Sequence, residues 1–366
     1  MLYKELGATG KKVSAIGFGG MRFDPGAYLK GDYDSPAAVA LRAYELGVNY
    51  FDTAPGYCDD HSERIIGHAL KQMPQKPYVS TKCGLWMAQT AGEARRCLEK
   101  SLKQLGLDKV TFYNLWCLKS MDDYRRITKK GGVYDGMVRA RDEGLIEHIC
   151  CTVHADGKTI SAIINDGLAD AVMLGYNALN FAYRREGIAA CYEKGVGTVV
   201  MNPLGGGVIP AHPKLFDFIK TDSNQSIAEA ALRFLIGQRE VSVALPGMGT
   251  IREAEENCAA AENVAPVTQG ALDRMAARLT KELDTLCTSC AYCDECPEGV
   301  PVVQLMDTYN EYMLAGNSPD AARERLAMHW SLSAKAAKPC TRCGVCEKLC
   351  TQKLPIIERL GLFDRL

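Results

Sequence analysis

The chain has 366 residues, 47% of them hydrophobic and 24% charged, with a formal net charge of −1. That length allows one large domain and one small one, each with its own core. The near-neutral charge leaves no electrostatic footprint for nucleic acid or an anionic membrane. The opening MLYKELGATGKK holds no apolar core of signal-peptide length, and no apolar run is long enough to span a bilayer. Of the 16 cysteines, Cys58, Cys83, Cys97, Cys117, Cys150, Cys151, Cys191 and Cys258 follow no pattern, which suits a reducing cytoplasm.

Residues 1–22 read as a short hairpin and a strand: KELGATGKKVS carries a glycine turn, and AIGFGGMRF ends in glycines. Short apolar runs follow at VNYFD (48–52), PYVST (77–81), VTFYNLW (110–116), EHICCTV (147–153), DAVMLGY (170–176), GTVVM (197–201) and VSVAL (241–245). With AIGFG (15–19) in front, they make eight. Between them lie stretches with helical spacing, such as SPAAVALRAYELG (35–47), TAGEARRCLEKSLKQLG (90–106) and SIAEAALRFLIGQR (226–239). Buried strands alternating with helices predict parallel βαβ units, and eight of them in about 250 residues close most simply into a (β/α)8 TIM-type barrel. A doubly wound open sheet is the alternative, but no G-x-G-x-x-G leaves the first strand, and GFGGM reads as a tight turn.

A helix around 271–286 is expected to lead out of the barrel. Two helical patterns broken at Gly316–Pro319 follow, between two cysteine blocks. Cys287, Cys290, Cys293 and Cys296 are spaced C-x2-C-x2-C-x2-C; Cys340, Cys343, Cys346 and Cys350 are spaced C-x2-C-x2-C-x3-C. Such blocks supply thiolates for two [4Fe–4S] clusters, the fourth cysteine of each usually crossing to the other cluster. That rule groups Cys287, Cys290 and Cys293 with Cys350, and Cys340, Cys343 and Cys346 with Cys296. Two zinc sites are the alternative, although zinc knuckles favour pairs separated by a longer loop. The expected division is a barrel over 1–270 and a small, mostly helical, two-cluster ferredoxin-like domain over 271–366.

Catalytic groups of such a barrel sit at the C-terminal ends of its strands. The second strand ends in NYFDTAPGY, offering Asp52 and Tyr57, and the third in STKCG, offering Lys82. A lysine cation beside a tyrosine draws the phenol pKa down from about 10, making a competent proton donor or acceptor, and a carboxylate would hold the ammonium. The fourth strand ends at Trp116, whose indole donates one hydrogen bond and carries no titratable proton; Cys117 is expected on the opposite face. His61 and His154 are the other groups near these strand ends with a proton to exchange.

Taken together, NYFDTAPGY, STK, NPLGGG and PGMGTIREAEEN resemble the aldo/keto reductase superfamily. With the cysteine tail, nearly the whole chain resembles the predicted oxidoreductases that join such a barrel to a C-terminal 4Fe–4S ferredoxin-type domain. The resemblance implies a capped barrel, NAD(H) or NADP(H), and a tetrad of Asp, Tyr, Lys and His. Asp52, Tyr57 and Lys82 match its first three members, and Trp116 stands where the His belongs. Cofactor contacts are implied at Gly20, Met21, Thr152, Met201, Asn202, Gly205, Gly247, Glu256 and Asn257. The chain departs from the family pattern with Thr152-Val153 for Ser-Asn, Met173 for Gln, Met201 for Tyr, Gly247 for Lys and Glu253 for Arg. A carboxylate at Glu253 would repel a 2′-phosphate, Arg252 would offset it, and NAD(H) suits the site at least as well as NADP(H).

The leading expectation is an iron–sulfur oxidoreductase that interconverts a small-molecule carbonyl and hydroxyl with Tyr57 as proton donor or acceptor. Its clusters would relay electrons to ferredoxin or a redox partner enzyme. Two other readings are a barrel enzyme without nicotinamide (flavin-linked, or acid–base chemistry such as dehydration or epimerisation) and a non-catalytic electron-transfer subunit. The Asp–Tyr–Lys set argues against the last.

Overall fold

Two short strands, Tyr3–Glu5 (β1) and Lys12–Ser14 (β2), pair antiparallel from Tyr3 opposite Ser14 to Glu5 opposite Lys12. The structure, a computed structural model, describes residues 1–279, 286–287 and 292–366. The hairpin sends Leu6 and Val13 into a buried cluster with Tyr50, Phe112, Cys150, Met173, Val199 and Val243, and so floors the barrel at the strands' N-terminal ends. Gly7 makes that seat: its φ is +54°, and a Cβ there would lie 2.3 Å from the Gly195 carbonyl.

Eight parallel strands follow in chain order, each paired with the next. They are Phe18–Gly19 (β3), Tyr50–Asp52 (β4), Tyr78–Gly84 (β5), Val110–Leu118 (β6), Ile146–Val153 (β7), Ala171–Gly175 (β8), Gly197–Met201 (β9) and Val243–Leu245 (β10). Parallel bridges from Ile16 to Ala244 and from Gly19 to Gly247 join the first to the last. The Gly17 amide donates to the Ala244 carbonyl at 2.9 Å, and the Ala244 amide to that of Ala15 at 2.8 Å. The sheet therefore closes into the expected barrel instead of staying open.

Helices cover the outside. The one at Ala91–Leu105 starts from a Thr90–Glu93 capping box and ends on Gly106 at φ +66°. It turns Ala94, Leu98, Leu102 and Leu105 inward at three- and four-residue spacing; each fully buried leucine contributes about 1.5–3 kcal/mol. Helices at Asp34–Glu45 and Ile227–Ile236 pack likewise and fall where periodicity placed them.

Beyond the barrel, a helix spans Gln269–Leu279; residues 280–285 of the expected 271–286 helix lie outside the described residues. Val302–Leu314 forms a helix, and Ser318 caps a second at Pro319–Glu324 that runs into a π-turn at Arg325–His329. Short helices at Val345–Leu349 and Ile356–Leu360 complete a tail with no strand among its described residues. Its core gathers Val300, Leu305, Met306, Leu326, Ile356 and Leu360 around Cys287, Cys293, Cys346 and Cys350. The tail rests on the barrel through Leu286, Met313 and Leu314, and through Glu311, which lies 3.4 Å from His212. No helix among the described residues is long and apolar enough to cross a membrane.

Candidate active site

Inside the barrel the strands change character along their length. Tyr50, Tyr78 and Phe112 fill the lower layer, and two to four residues further on the inward positions turn polar: Asp52, Ser80, Lys82 and Asn114. Pairing sets Asp52 beside Ser80 and Lys82 beside Asn114. Lys82 Nζ donates to Asp52 Oδ1 at 2.7 Å, to Oδ2 at 2.6 Å and to the Thr53 carbonyl at 2.7 Å. An ammonium has three donors, so these acceptors use them all. Ser80 Oγ donates to Asp52 Oδ1 at 2.9 Å, and Asn114 Nδ2 donates to Ser80 Oγ at 2.9 Å and to the Thr81 carbonyl at 3.1 Å. The Lys82 and Asp52 side chains are only 1% and 6% exposed. Burial pushes the Asp52 carboxyl up and the Lys82 ammonium down, and their ion pair opposes both shifts. Ser80 and Asn114 were missed in the sequence. Their signal was polarity at inward positions of otherwise apolar strands.

Tyr57 stands on the loop after β4, where Cys58, Asp59 and Asp60 all take positive φ, at 52°, 54° and 67°. Asp60 pins the loop by accepting the Gly56 amide at 3.2 Å and pairing with Lys100 at 2.8 Å. The Tyr57 ring lies 4.9 Å from Lys82 Nζ and edge-on to Trp116 at 5.6 Å; Trp116 in turn meets Trp86 at 4.8 Å. The expected lowering of the Tyr57 pKa does not occur. Burial above all, with the Asp52 carboxylate and the Cys117 and Cys58 sulfurs, pushes the phenol up. Tyr57 therefore keeps its proton.

Trp116 faces the site as expected. Cys117 breaks the expected alternation: the β6–β7 register shifts between Leu115 and Leu118, and Cys117 sits at φ +66° with its amide donating to Thr152 Oγ1 at 2.6 Å. Bulges of this kind re-aim side chains beside active sites. His154, just past β7, is buried and donates its amide to the Leu118 carbonyl at 2.7 Å. Burial and the cations Arg184, Lys119 and Lys82 hold its imidazole well below the usual histidine range, hence neutral. Its Nε2 shares a hydrogen bond with the Tyr292 hydroxyl. His61 is occupied elsewhere, with Nδ1 2.7 Å from the Tyr33 hydroxyl and its ring stacked on Tyr28.

The implied cofactor residues lie along the same rim. The Gly20 amide donates to the Asp52 carbonyl at 2.8 Å, and a Cβ at Gly20 would lie 2.7 Å from Ser62 Oγ; Met21 is exposed. Thr152 is buried under Cys117, while Met201 ends β9 half-buried. Asn202, at φ +56°, accepts the Gly206 amide at 2.5 Å and fixes a turn in which Gly205, Gly206 and Gly207 are all left-handed. Met173 lies deeper, in the barrel floor. Past β10, the stem of Arg22 packs across Gly247, where a Cβ would come 3.1 Å from Arg22 Cγ. Asn257 Nδ2 donates to the Gly247 carbonyl at 3.1 Å, and Glu256 pairs with Arg252 at 2.7 Å. Glu253 caps its own helix, accepting the Gly249 and Thr250 amides at 2.7 and 3.1 Å. Arg252, at the exposed start of the same helix, pairs with Glu256.

In the tail, Cys296, Cys340, Cys343 and Cys346 line one small, mostly apolar pocket with Val300, Ile357 and Leu360. Cys287, Cys293 and Cys350 are buried nearby; Cys290 lies outside the described residues. Asn310 holds Cys287 at two points, accepting its amide at 2.8 Å and donating to its carbonyl at 2.7 Å. The Leu354 amide donates to Cys350 Sγ at 3.4 Å. Among the described residues, no three His, Cys, Asp or Glu side chains converge as ligands of a single metal ion.

Comparison with known proteins adds a family. The model of the Aldo/keto reductase family matches residues 15–277, and the match ends before the first cysteine block. L-galactose dehydrogenase of Arabidopsis thaliana is 30% identical over 288 residues, covering 70% of this chain and 87% of its own length. The NADH-specific methylglyoxal reductase of Escherichia coli K12 is 27% identical over 224 residues, 56% of this chain and 68% of its own. The holo aldo-keto reductase AKR11C1 from Bacillus halodurans superposes with a TM-score of 0.64 at 21% identity, over 76% of this chain and 96% of that one. An aldo-keto reductase from Klebsiella pneumoniae in complex with NADPH gives 0.62 at 18% identity, over 76% and 95%.

Proposed function

As a member of the aldo/keto reductase family this chain is an oxidoreductase, and we propose that it interconverts a small carbonyl compound and its alcohol with NAD(H), Tyr57 moving the proton. The observation that carries this reading is the buried Asp52–Lys82 pair with the protonated Tyr57 over it, at the C-terminal ends of β4 and β5. Bound nicotinamide supplies or takes the hydride. As negative charge develops on the carbonyl oxygen, the Tyr57 hydroxyl donates its proton there. The phenolate left behind stands beside the Lys82 ammonium, which Asp52 and the Thr53 carbonyl hold in one place. Trp116 walls the pocket and moves no proton.

Residues on the rim suit a dinucleotide. The Gly205–Gly207 turn, its amides bonded to Asn202 and Leu204, lets a ligand approach the backbone closely, and Arg22, whose stem packs across Gly247, supplies a cation on the rim. NAD(H) is favoured over NADP(H) because the Glu253 carboxylate already fills the start of its helix, where it would repel a further phosphate. The name of the NADH-specific methylglyoxal reductase points the same way.

The reading extends to a two-domain division at 1–270 and 271–366, with two [4Fe–4S] clusters in the second. Bound there, they would relay single electrons to ferredoxin or a partner enzyme in a reducing compartment such as the cytoplasm. Three features support it: Cys296 shares a pocket with Cys340, Cys343 and Cys346; Cys287 and Cys350 both act on the buried Arg359; and an amide hydrogen bond reaches Cys350 Sγ. Thiols spread around a pocket suit a multi-iron cluster better than one tetrahedral zinc.

Anaerobically purified protein should bind NADH at least as tightly as NADPH by fluorescence titration, and carry about eight iron and eight sulfide per chain. Tyr57→Phe should lower kcat by about 10²–10⁴-fold and leave NADH binding in place. Failure to bind either nicotinamide would overturn the proposal, and zinc in place of iron would overturn the cluster assignment.

A further inference from the structure

We propose that Tyr292 forms one wall of the substrate site and sets substrate size. The inference rests on the carbonyl-reductase reading above. Tyr292 lies in the tail, next in sequence to Cys293, yet its side chain is held by the barrel. Its ring centroid is 4.0 Å from that of His154, its hydroxyl is bonded to His154 Nε2, and Lys119 Nζ stands 5.0 Å from its ring. Lys119 follows β6 directly and His154 follows β7, so two adjacent strand ends grip one tail side chain.

That grip is at the catalytic rim. Trp116, three residues before Lys119, meets the Tyr57 ring, and Lys82 is near enough to act on His154. The end of β6 thus meets Tyr57 through Trp116 and Tyr292 through Lys119, and on this proposal a carbonyl held at the Tyr57 hydroxyl is bounded by Trp116 and then by Tyr292. Cys287 is anchored to the barrel side as well. Asn310 clamps the Cys287 backbone, and the helix carrying Asn310 reaches the barrel through Glu311, Met313 and Leu314.

The test uses the full chain, purified anaerobically, with straight-chain aldehydes from propanal to octanal and NADH. Tyr292→Ala should shift the octanal-to-propanal ratio of kcat/KM at least about tenfold towards octanal, mainly through KM. Tyr292→Trp should move the ratio the other way, which keeps the proposal testable where the alanine variant fails to fold. In parallel, Tyr292→Phe and His154→Phe should speed hydrogen exchange of the amides at 292–299 about tenfold, with iron content measured for each variant. An unchanged ratio in both Tyr292→Ala and Tyr292→Trp overturns the wall. Unchanged exchange in both phenylalanine variants overturns the latch that holds it. If the wild-type protein turns over no aldehyde in the series, the carbonyl-reductase reading falls, and the exchange measurement alone decides whether Tyr292 is latched to the barrel.

Discussion

In the barrel, Phe18, Phe51, Ile65, Ile66, Leu70 and Val79 are buried in a continuous apolar layer between strands and helices, and a second cluster fills the barrel's interior. In the tail, the helices at Val345–Leu349 and Ile356–Leu360 have five residues each, and cysteines occupy places where a core would hold leucine. Helices that short do not stand alone in water. A core this thin, with thiols among its buried side chains, is one that a bound metal group would stabilise. The barrel is thus built to hold itself, and on the proposed cluster reading the tail is held by what its thiols bind.

Stripping the proposed iron is the strongest way to break that contrast. Chelation under anaerobic reducing conditions, or Cys346→Ser together with Cys350→Ser, should expose the tail to protease and leave a fragment of barrel size. Digestion followed by mass spectrometry reads the result. A tail that resists protease without iron would show that its apolar core suffices.

The barrel has its own exposed flank, the polar layer in its interior. Lys82→Met leaves the buried Asp52 carboxylate with its Ser80 hydrogen bond and no cation. Loss of one partner from a buried pair destabilises by about 3–5 kcal/mol, readable by urea unfolding. Adding Asp52→Leu should recover much of that loss in stability, and no activity. If Lys82→Met costs under about 1 kcal/mol, the pair is better solvated than its burial implies.

How much could be read beforehand followed the same division. Strand positions were legible because parallel strands buried on both faces leave apolar runs, and VNYFD, GTVVM and VSVAL are of that kind. Asp52, Tyr57 and Lys82 stood out because a barrel gathers strand ends at one rim. Hydrogen bonding among side chains was not legible. Nothing local marks Asn114 as the support of Ser80, or Glu253 as the cap of its own helix, and burial, with the Asp52 carboxylate, reversed the expected shift of Tyr57. The bulge at Cys117 upset an alternation that holds in regular strand. The docking of Tyr292 on His154 joins residues 138 apart, and sequence periodicity reports nothing at that range.

His154 lies at the seam between the two regions, and its titration offers a smaller, sharper test. Burial and the neighbouring cations Arg184, Lys119 and Lys82 hold its pKa well below that of an exposed histidine, about 6.5. In the unfolded chain it takes up a proton as the pH falls through that value, and in the folded chain it does not. Stability must then fall with decreasing pH, by about 1 kcal/mol between pH 7 and pH 5.5 for this group alone. Buried carboxyl groups such as Asp52 and Glu63 are shifted up and act in the opposite sense as they titrate, so the comparison has to be differential. His154→Phe should flatten the slope of unfolding free energy against pH by that amount and leave the carboxylate contribution in place. Equal slopes in the two proteins would mean that the imidazole takes a proton where it stands. The seam between barrel and tail would then carry charge, and Tyr292 would be held there by something other than a neutral histidine.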